Sequence, residues 1–335
     1  MVLILFVQKE SIAQKIDTIV HANGNILTGD LKKMAYGVVT WSMTGMGTIS
    51  LEEVHVSTIK SDKLFEIKMK NGFIYFGSFD TSYFKRKVNI VMTNKRELVE
   101  VDDIVEIYPI RRNFWMRTSG NFSLGLNYSK GSDIGTIVLS GDINYRKKKS
   151  FFEISWDDHT TYQADTLNST KVDGAITWER YIKKRWSSQV IIGATQNSEL
   201  GTKLRLGLSV LGLRDLAYNN WNRLYAGAGL SLSNETPYDD SGDKQDIAGI
   251  VSVAWKVYKY TIPKVWVDAD VSLLPYITNT ERIRAVVNLA PKISIVSDDL
   301  KLGFRFYYSF DSKPPTEASS NDDYGMNLEI TYSLH

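Results

Sequence analysis

The sequence predicts an all-β protein: a twelve-stranded antiparallel transmembrane β-barrel preceded by a domain of two small SH3-like or Sm-like β-barrel repeats. Three observations carry this reading. From Gly120 to the C-terminus, stretches of about ten residues alternate apolar and polar, each closed by a turn. In the last of them Tyr324, Met326, Leu328, Ile330, Tyr332 and Leu334 share one parity, and a side-chain period of two makes that parity one apolar face. Ahead of this region an Asn-Gly turn followed by a second glycine occurs twice, at Asn23-Gly24 with Gly29 and at Asn71-Gly72 with Gly77.

The chain opens on Met1-Val2-Leu3-Ile4-Leu5-Phe6-Val7, an apolar run like the centre of a signal peptide, and Ser11-Ile12-Ala13 resembles a small-x-small cleavage site. A basic start is missing, and Lys9 and Glu10 interrupt the run. Residues 1–13 therefore read as a signal peptide with a clipped start, the mature chain beginning near Gln14. A first soluble strand is the alternative.

Residues 14–112 form the next unit, with repeats over about 17–62 and 63–112. Asn-Gly between apolar runs is a hairpin signal, because both residues tolerate positive φ. Each copy ends on an acidic-apolar phrase: Leu51-Glu52-Glu53-Val54-His55-Val56 in the first, Val101-Asp102-Asp103-Ile104-Val105-Glu106-Ile107 in the second. Four or five short strands per copy suit a small barrel.

Residues 113–335 supply the membrane barrel, entered through Pro109-Ile110-Arg111-Arg112-Asn113. Phe122, Leu124, Leu126 and Tyr128 mark the first outward face, and Ile137, Leu139, Ile143 and Tyr145 the second. Ten further runs follow, among them Phe152-Ile154-Trp156, Leu204-Leu206-Leu208-Val210 and Val265-Val267-Ala269-Val271. Aromatics gather near strand ends, at Tyr128, Tyr145, Trp156, Trp178, Tyr308 and Tyr332. Tight turns such as Arg146-Lys147-Lys148-Lys149 and Ser297-Asp298-Asp299 alternate with longer polar loops, read at Asp157–Thr170, Asn234–Asp246 and Asp311–Asp323. This alternation and an even strand count place both barrel ends in the periplasm of a Gram-negative bacterium, with the N-terminal domain beside them. A soluble sandwich fits less well. Its turns come every 8–12 residues, and only closure pairs every backbone donor in lipid.

The opposite parity faces the lumen. It carries Arg117, Asp142, Glu153, Asp173, Glu179, Arg205, Arg223, Asp268, Asp270, Arg284, Arg305 and Glu329. Such a set either cross-links the interior into a plug or lines a narrow wet channel for small polar solutes or ions. Lys171, Asp246 and Lys256 share the parity, as do Asn144 and Asn288.

These features together resemble the outer-membrane family typified by YdiY, domain of unknown function 481, also called salt-induced outer-membrane protein. The matching stretches are Asp17–Asp30 with its Asn23-Gly24, Asn71–Ser78, and the link Phe114-Trp115-Met116-Arg117-Thr118-Ser119-Gly120-Asn121-Phe122. The resemblance implies an outer-membrane location and a structural or envelope-stress role. It brings no catalytic residues. The chain departs from the usual outer-membrane ending on Phe or Trp, closing instead on Leu334-His335.

Little else points to chemistry. A net charge of +2 gives no electrostatic argument for nucleic acid, and the absence of cysteine fits an exported chain. Of four histidines only His159, in Trp156-Asp157-Asp158-His159-Thr160-Thr161, falls at an extracellular rim where a lipid hydrolase would place its base. An Asp-Asp-His-Thr loop is ordinarily just polar, so the protein reads as a non-enzyme. Cysteine and histidine lack metal-ligand spacing. The acidic loop Tyr238–Asp246 lacks a calcium register and carries Lys244, so neither metal nor cofactor is expected. The partners expected are outer-membrane lipids, the barrel-assembly machinery during insertion, and another envelope protein at the N-terminal domain.

Overall fold

The computed structural model describes residues 16–110, 114, 117–131, 133–163, 166–239, 242–316 and 319–334. The proposed signal peptide of residues 1–13 lies outside them. The chain divides into an N-terminal unit ending at Pro109 and a second unit whose main body starts at Ile110.

The N-terminal unit repeats one pattern twice. The first copy is β1 (Asp17–His21), β2 (Ile26–Ala35), β3 (Val38–Met43), β4 (Gly47–Glu52), a 3-10 turn at Glu53–His55 and β5 (Val56–Met69). The long β5 also opens the second copy, followed by β6 (Ile74–Thr81), β7 (Lys87–Val91), β8 (Arg96–Glu100), a 3-10 turn at Val101–Asp103 and β9 (Ile104–Pro109). The two copies share β5 and form one nine-stranded sheet. Its path runs β4-β3-β2-β1-β5-β6-β7-β8, with β9 paired to β2 and β5.

The repeated sequence signals have the same physical cause in both copies. Gly24 and Gly72 hold φ of +90° and +80°, a region that disfavours side chains, and the preceding asparagine caps each turn through its Oδ1. A Cβ on Gly29 would stand 2.3 Å from the Ser42 carbonyl oxygen, and one on Gly77 2.4 Å from that of Val91. Both glycines therefore allow a close strand approach. The core is equally periodic: Ile19, Val56 and Ile59 match Ile67, Ile104 and Ile107, all fully buried together with Trp41 and Phe65. In β1, β2, β3, β5, β6, β7 and β9 apolar side chains are buried, as the hydrophobic effect demands.

The second unit is a closed barrel of twelve antiparallel strands. They are β10 (Thr118–Ser129), β11 (Ile134–Lys147), β12 (Ser150–Gln163), β13 (Thr166–Lys183), β14 (Trp186–Asn197) and β15 (Thr202–Tyr218). The ring continues with β16 (Asn222–Pro237), β17 (Lys244–Lys259), β18 (Val265–Pro275), β19 (Ile283–Ser294), β20 (Leu300–Asp311) and β21 (Asp322–Leu334). Pairing of β10 with β21, Leu124 opposite Ile330, closes it and leaves no free edge.

Here the apolar parity faces outward. Leu206, Val210, Ile176, Ile192 and Ile330 are each about half exposed, as a lipid-facing band requires. Near the turn end an aromatic ladder runs over the outer face, Phe114 on Tyr145 at 4.9 Å, then Phe152, then Trp178. One loop expectation is corrected. Asp157–Gln163 continues β12 and Thr166 opens β13, so the expected loop from Asp157 to Thr170 is mostly strand. Its inward positions Asp157, His159 and Thr161 are polar for the lumen, and Asp158 and Thr160 are polar on the other face. With both faces polar, the apolar signal of a strand vanishes.

Candidate functional site

The barrel interior holds the densest polar chemistry of the chain, arranged in three networks. The first lies toward the loop end and centres on Arg282, just before β19. Its guanidinium donates to both carboxylate oxygens of Asp311, at 3.0 and 2.6 Å, to Glu235 at 2.8 Å and to Asp246 at 3.3 Å, and it stacks on Tyr276. Arg205 also pairs with Glu235, lies 3.7 Å from Asp311, and is joined there by Arg284 at 3.6 Å. Thr202 donates to Glu235 at 2.8 Å. Arg205, Glu235, Arg282 and Asp311 are 6, 1, 3 and 0 % exposed, so this network is dry.

The second network crosses the middle. Arg305 on β20 pairs with Glu329 beside it and reaches Asp157 on β12 at 3.2 Å and Ser140 on β11 at 3.1 Å. Asp157 holds His159 Nε2 at 2.7 Å, and the other ring nitrogen meets the Asn327 amide at 3.0 Å. The histidine ring abuts Tyr307, over which Lys171 sits while it pairs with Asp173. Above it, at the loop end, Asn197 on β14 donates to Asp323 on β21 at 2.8 Å. The third network lies toward the turn end, where Arg223 joins Asp215 at 2.7 Å and Glu179 at 3.5 Å, and Ser187 donates to Glu179.

Several of these contacts join opposite walls. In a ring of twelve, β14 and β21 are five strands apart by the shorter way round, as are β15 and β20, which carry Arg205 and Asp311. An apolar layer adds to the filling: Leu211, Leu213 and Ile250 are buried on the lumen parity, packed by Ile191, Tyr225 and Leu274. The interior is therefore not wholly polar.

The remaining sequence candidates sit at quieter positions. Asp142 accepts from Asn121 and Asn144, and Asp270 accepts from Asn288 at 2.9 Å. Glu153 lies opposite Asn144 in register, and Asp268 opposite Lys256. Arg117 precedes β10, its backbone N–H bonded to the Phe114 carbonyl. His159, read as a loop residue at the outer rim, is instead in β12 and buried, its Nδ1 3.0 Å from the Asn327 amide and its Nε2 2.7 Å from Asp157. Sequence reasoning missed Glu235, Arg282 and Asp311, all three buried, because they stand where strands meet loops and polarity no longer alternates. Among the described residues no group of three or more His, Cys, Asp or Glu could hold a metal ion.

Fold and interior together define a class: a closed β-barrel with an apolar outer face and an ion-paired lumen. The family model "Protein of unknown function, DUF481" matches residues 122–333, and the chain belongs to that family. No curated protein matches it. Among solved structures it is similar to the NanC porin, at 8% identity and a TM-score of 0.40, over 65% of this chain and 99% of that one. It is also similar to the translocator domain of the autotransporter NalP from Neisseria meningitidis, at 10% identity and TM-score 0.34, over 65% and 86%. A porin structure refined at 1.8 Å gives 8% identity and TM-score 0.30, over 96% and 97%.

Proposed function

We propose that this is a structural, envelope-stress protein of the Gram-negative outer membrane whose lumen is closed by its own charges. Its N-terminal domain reads as periplasmic, docking another envelope protein, while outer-membrane lipids cover the barrel and the barrel-assembly machinery inserts it. The observation that carries closure is the set of bonds between opposite walls, Arg205 to Asp311 and Asn197 to Asp323. A conducting pore needs a continuous wet path, whereas these contacts span the lumen at its loop end, between strands five apart in the ring. Breaking one buried ion pair costs about 3–5 kcal/mol, which disfavours opening without an external agent. The reading assigns no catalysis, because His159 serves Asp157 and Asn327.

Conductance of the purified protein in planar bilayers, across salt concentrations, tests this. The expected result is a folded, heat-modifiable barrel that stays electrically silent, with Arg305→Gln lowering its unfolding temperature. Discrete ion-selective openings whose size changes with Asp268→Asn or Arg305→Gln would establish the narrow channel instead.

A further inference from the structure

The loop end of the barrel carries a pocket of about 670 Å³ lined by Ser198, Glu199, Tyr238, Thr316, Ser319 and Ser320. Its walls come from the β14–β15, β16–β17 and β20–β21 connections, which are sewn together by backbone. Tyr238 N–H donates to the Gly201 carbonyl at 3.1 Å, Ser320 N–H to that of Glu199 at 3.0 Å, and Ser198 N–H to that of Thr170 at 3.0 Å. Gly201, at φ +69°, lets the walls meet, since a Cβ there would lie 2.1 Å from Ser319 Oγ. The pocket is thus held in shape by the protein itself, which lowers the ordering cost of any ligand.

The lining chemistry narrows the ligand. Among the described residues it comprises four aliphatic hydroxyls, one phenol and one carboxylate, with no cationic side chain. An anion finds no countercharge, and an apolar molecule finds only one ring. A polyhydroxylated molecule finds both donors and acceptors, and size is no obstacle, since binding pockets of this scale hold small organic ligands. Tyr238 is 43% exposed, with its oxygen fixed by Gln196 Nε2 at 2.7 Å, so its ring is presented while its own O–H can still donate. The exposed Glu199 carboxylate accepts none of the hydrogen bonds found among the described residues.

We propose that this pocket binds a saccharide, with Glu199 accepting sugar hydroxyls and the Tyr238 ring acting as a stacking platform. Its exposure at the cell surface rests on the outer-membrane reading above. There the sugar would come from the headgroup of an outer-leaflet glycolipid or from a free oligosaccharide.

Saturation-transfer NMR on the full-length protein in a sugar-free amine-oxide detergent tests it, with maltose and N,N′-diacetylchitobiose as probes. Transfer to at least one probe is expected. Glu199→Gln and Tyr238→Ala should each weaken it about tenfold, as loss of a charged hydrogen bond implies, while Asp133→Asn on another connection leaves it unchanged. Tyr238→Phe, which keeps the ring, should lose less and serves if Tyr238→Ala does not fold. No transfer to either probe with the wild type, or full transfer with a folded Tyr238 variant lacking its ring, overturns the proposal. Added lipopolysaccharide that abolishes the signal assigns the glycolipid headgroup, and retention assigns the free saccharide. None of these outcomes depends on whether the lumen conducts, so the two readings fail separately.

Discussion

The two units of this chain use the same strand pattern and turn it opposite ways. In the N-terminal unit Trp41, Phe65 and the repeated isoleucines are buried with only a few charges beside them, Asp17, Glu53 and Glu66; in the barrel Leu206 and Ile176 are half exposed and Arg205, Glu235 and Asp311 are buried. Period-two alternation specifies a two-faced strand but not which face is wrapped inward. Strand length and closure decide that. Strands of 5–10 residues dominate the first unit, in a sheet that folds over a core. Strands of 11–18 residues closing at twelve enclose a space that polar side chains fill and lipid need not enter.

The inversion is broken most severely by removing a large side chain from the water-facing unit's core. Trp41→Ala should cost about 3–5 kcal/mol, read as a lower denaturant midpoint for that unit, because a buried aromatic leaves a cavity. Ile176→Ala on the barrel exterior should cost well under that, since lipid or detergent fills the gap. Equal costs at both sites would mean that the barrel's outer face is packed against protein.

The reverse test acts on the barrel's dry interior. Arg282→Leu leaves Asp311 and Glu235 with only part of their cationic partnership, so a loss of about 3–5 kcal/mol is expected, measured by the temperature at which the barrel loses its compact migration on gels. An unchanged temperature would show that the Arg282 network contributes nothing to closure. The outer face answers to charge in the same way: Leu208→Arg, near the middle of β15, should cost about 2–4 kcal/mol in a bilayer. A neutral outcome would place Leu208 outside the lipid band.

Much of this contrast was legible in the residues. Strand count, closure and the outward set follow from parity, and parity also placed Arg205, Arg305 and Glu329 inside. The pairing did not follow. Arg305 meets Ser140 across 165 residues of chain, a contact that only the closed ring creates. Arg282 and Asp311 were hidden because strand ends carry polar residues on both faces, which erases alternation. Leu211 and Leu213 were hidden for the opposite reason: apolar residues occupy both parities there, so an interior apolar layer looked like a stretch of outward face. The repeats were visible because Gly24 and Gly72 meet one backbone demand twice.

The smallest expected effect separates the ion networks by their access to water. In the N-terminal unit Lys63 bridges Asp17 at 2.8 Å and Asp30 at 2.6 Å, with Asp30 and Lys63 each about 30% exposed. Burial pushes the Asp30 carboxyl up, but hydrogen bonds from Lys32 and Lys63 outweigh it and hold the carboxyl below its ordinary value. Burial likewise pushes Lys63 down, and its bonds to Asp17 and Asp30 outweigh that and hold the ammonium above its own. A lowered carboxyl stabilises above its unfolded pKa of roughly 4 and loses that contribution as pH falls through the folded value. A raised ammonium stabilises below roughly 10.4 and loses its contribution as pH rises through the folded value. The unit should therefore be most stable between those limits. Because both groups reach water, Asp30→Asn should cost only about 1 kcal/mol or less at neutral pH. It should flatten the acid limb of the stability curve, and half-molar salt should mimic it by screening. The lumen pairs, shielded from solvent ions, should show no such salt response. If the barrel's unfolding temperature instead tracks salt as closely as the N-terminal unit's, mobile ions reach those pairs and the interior is wet.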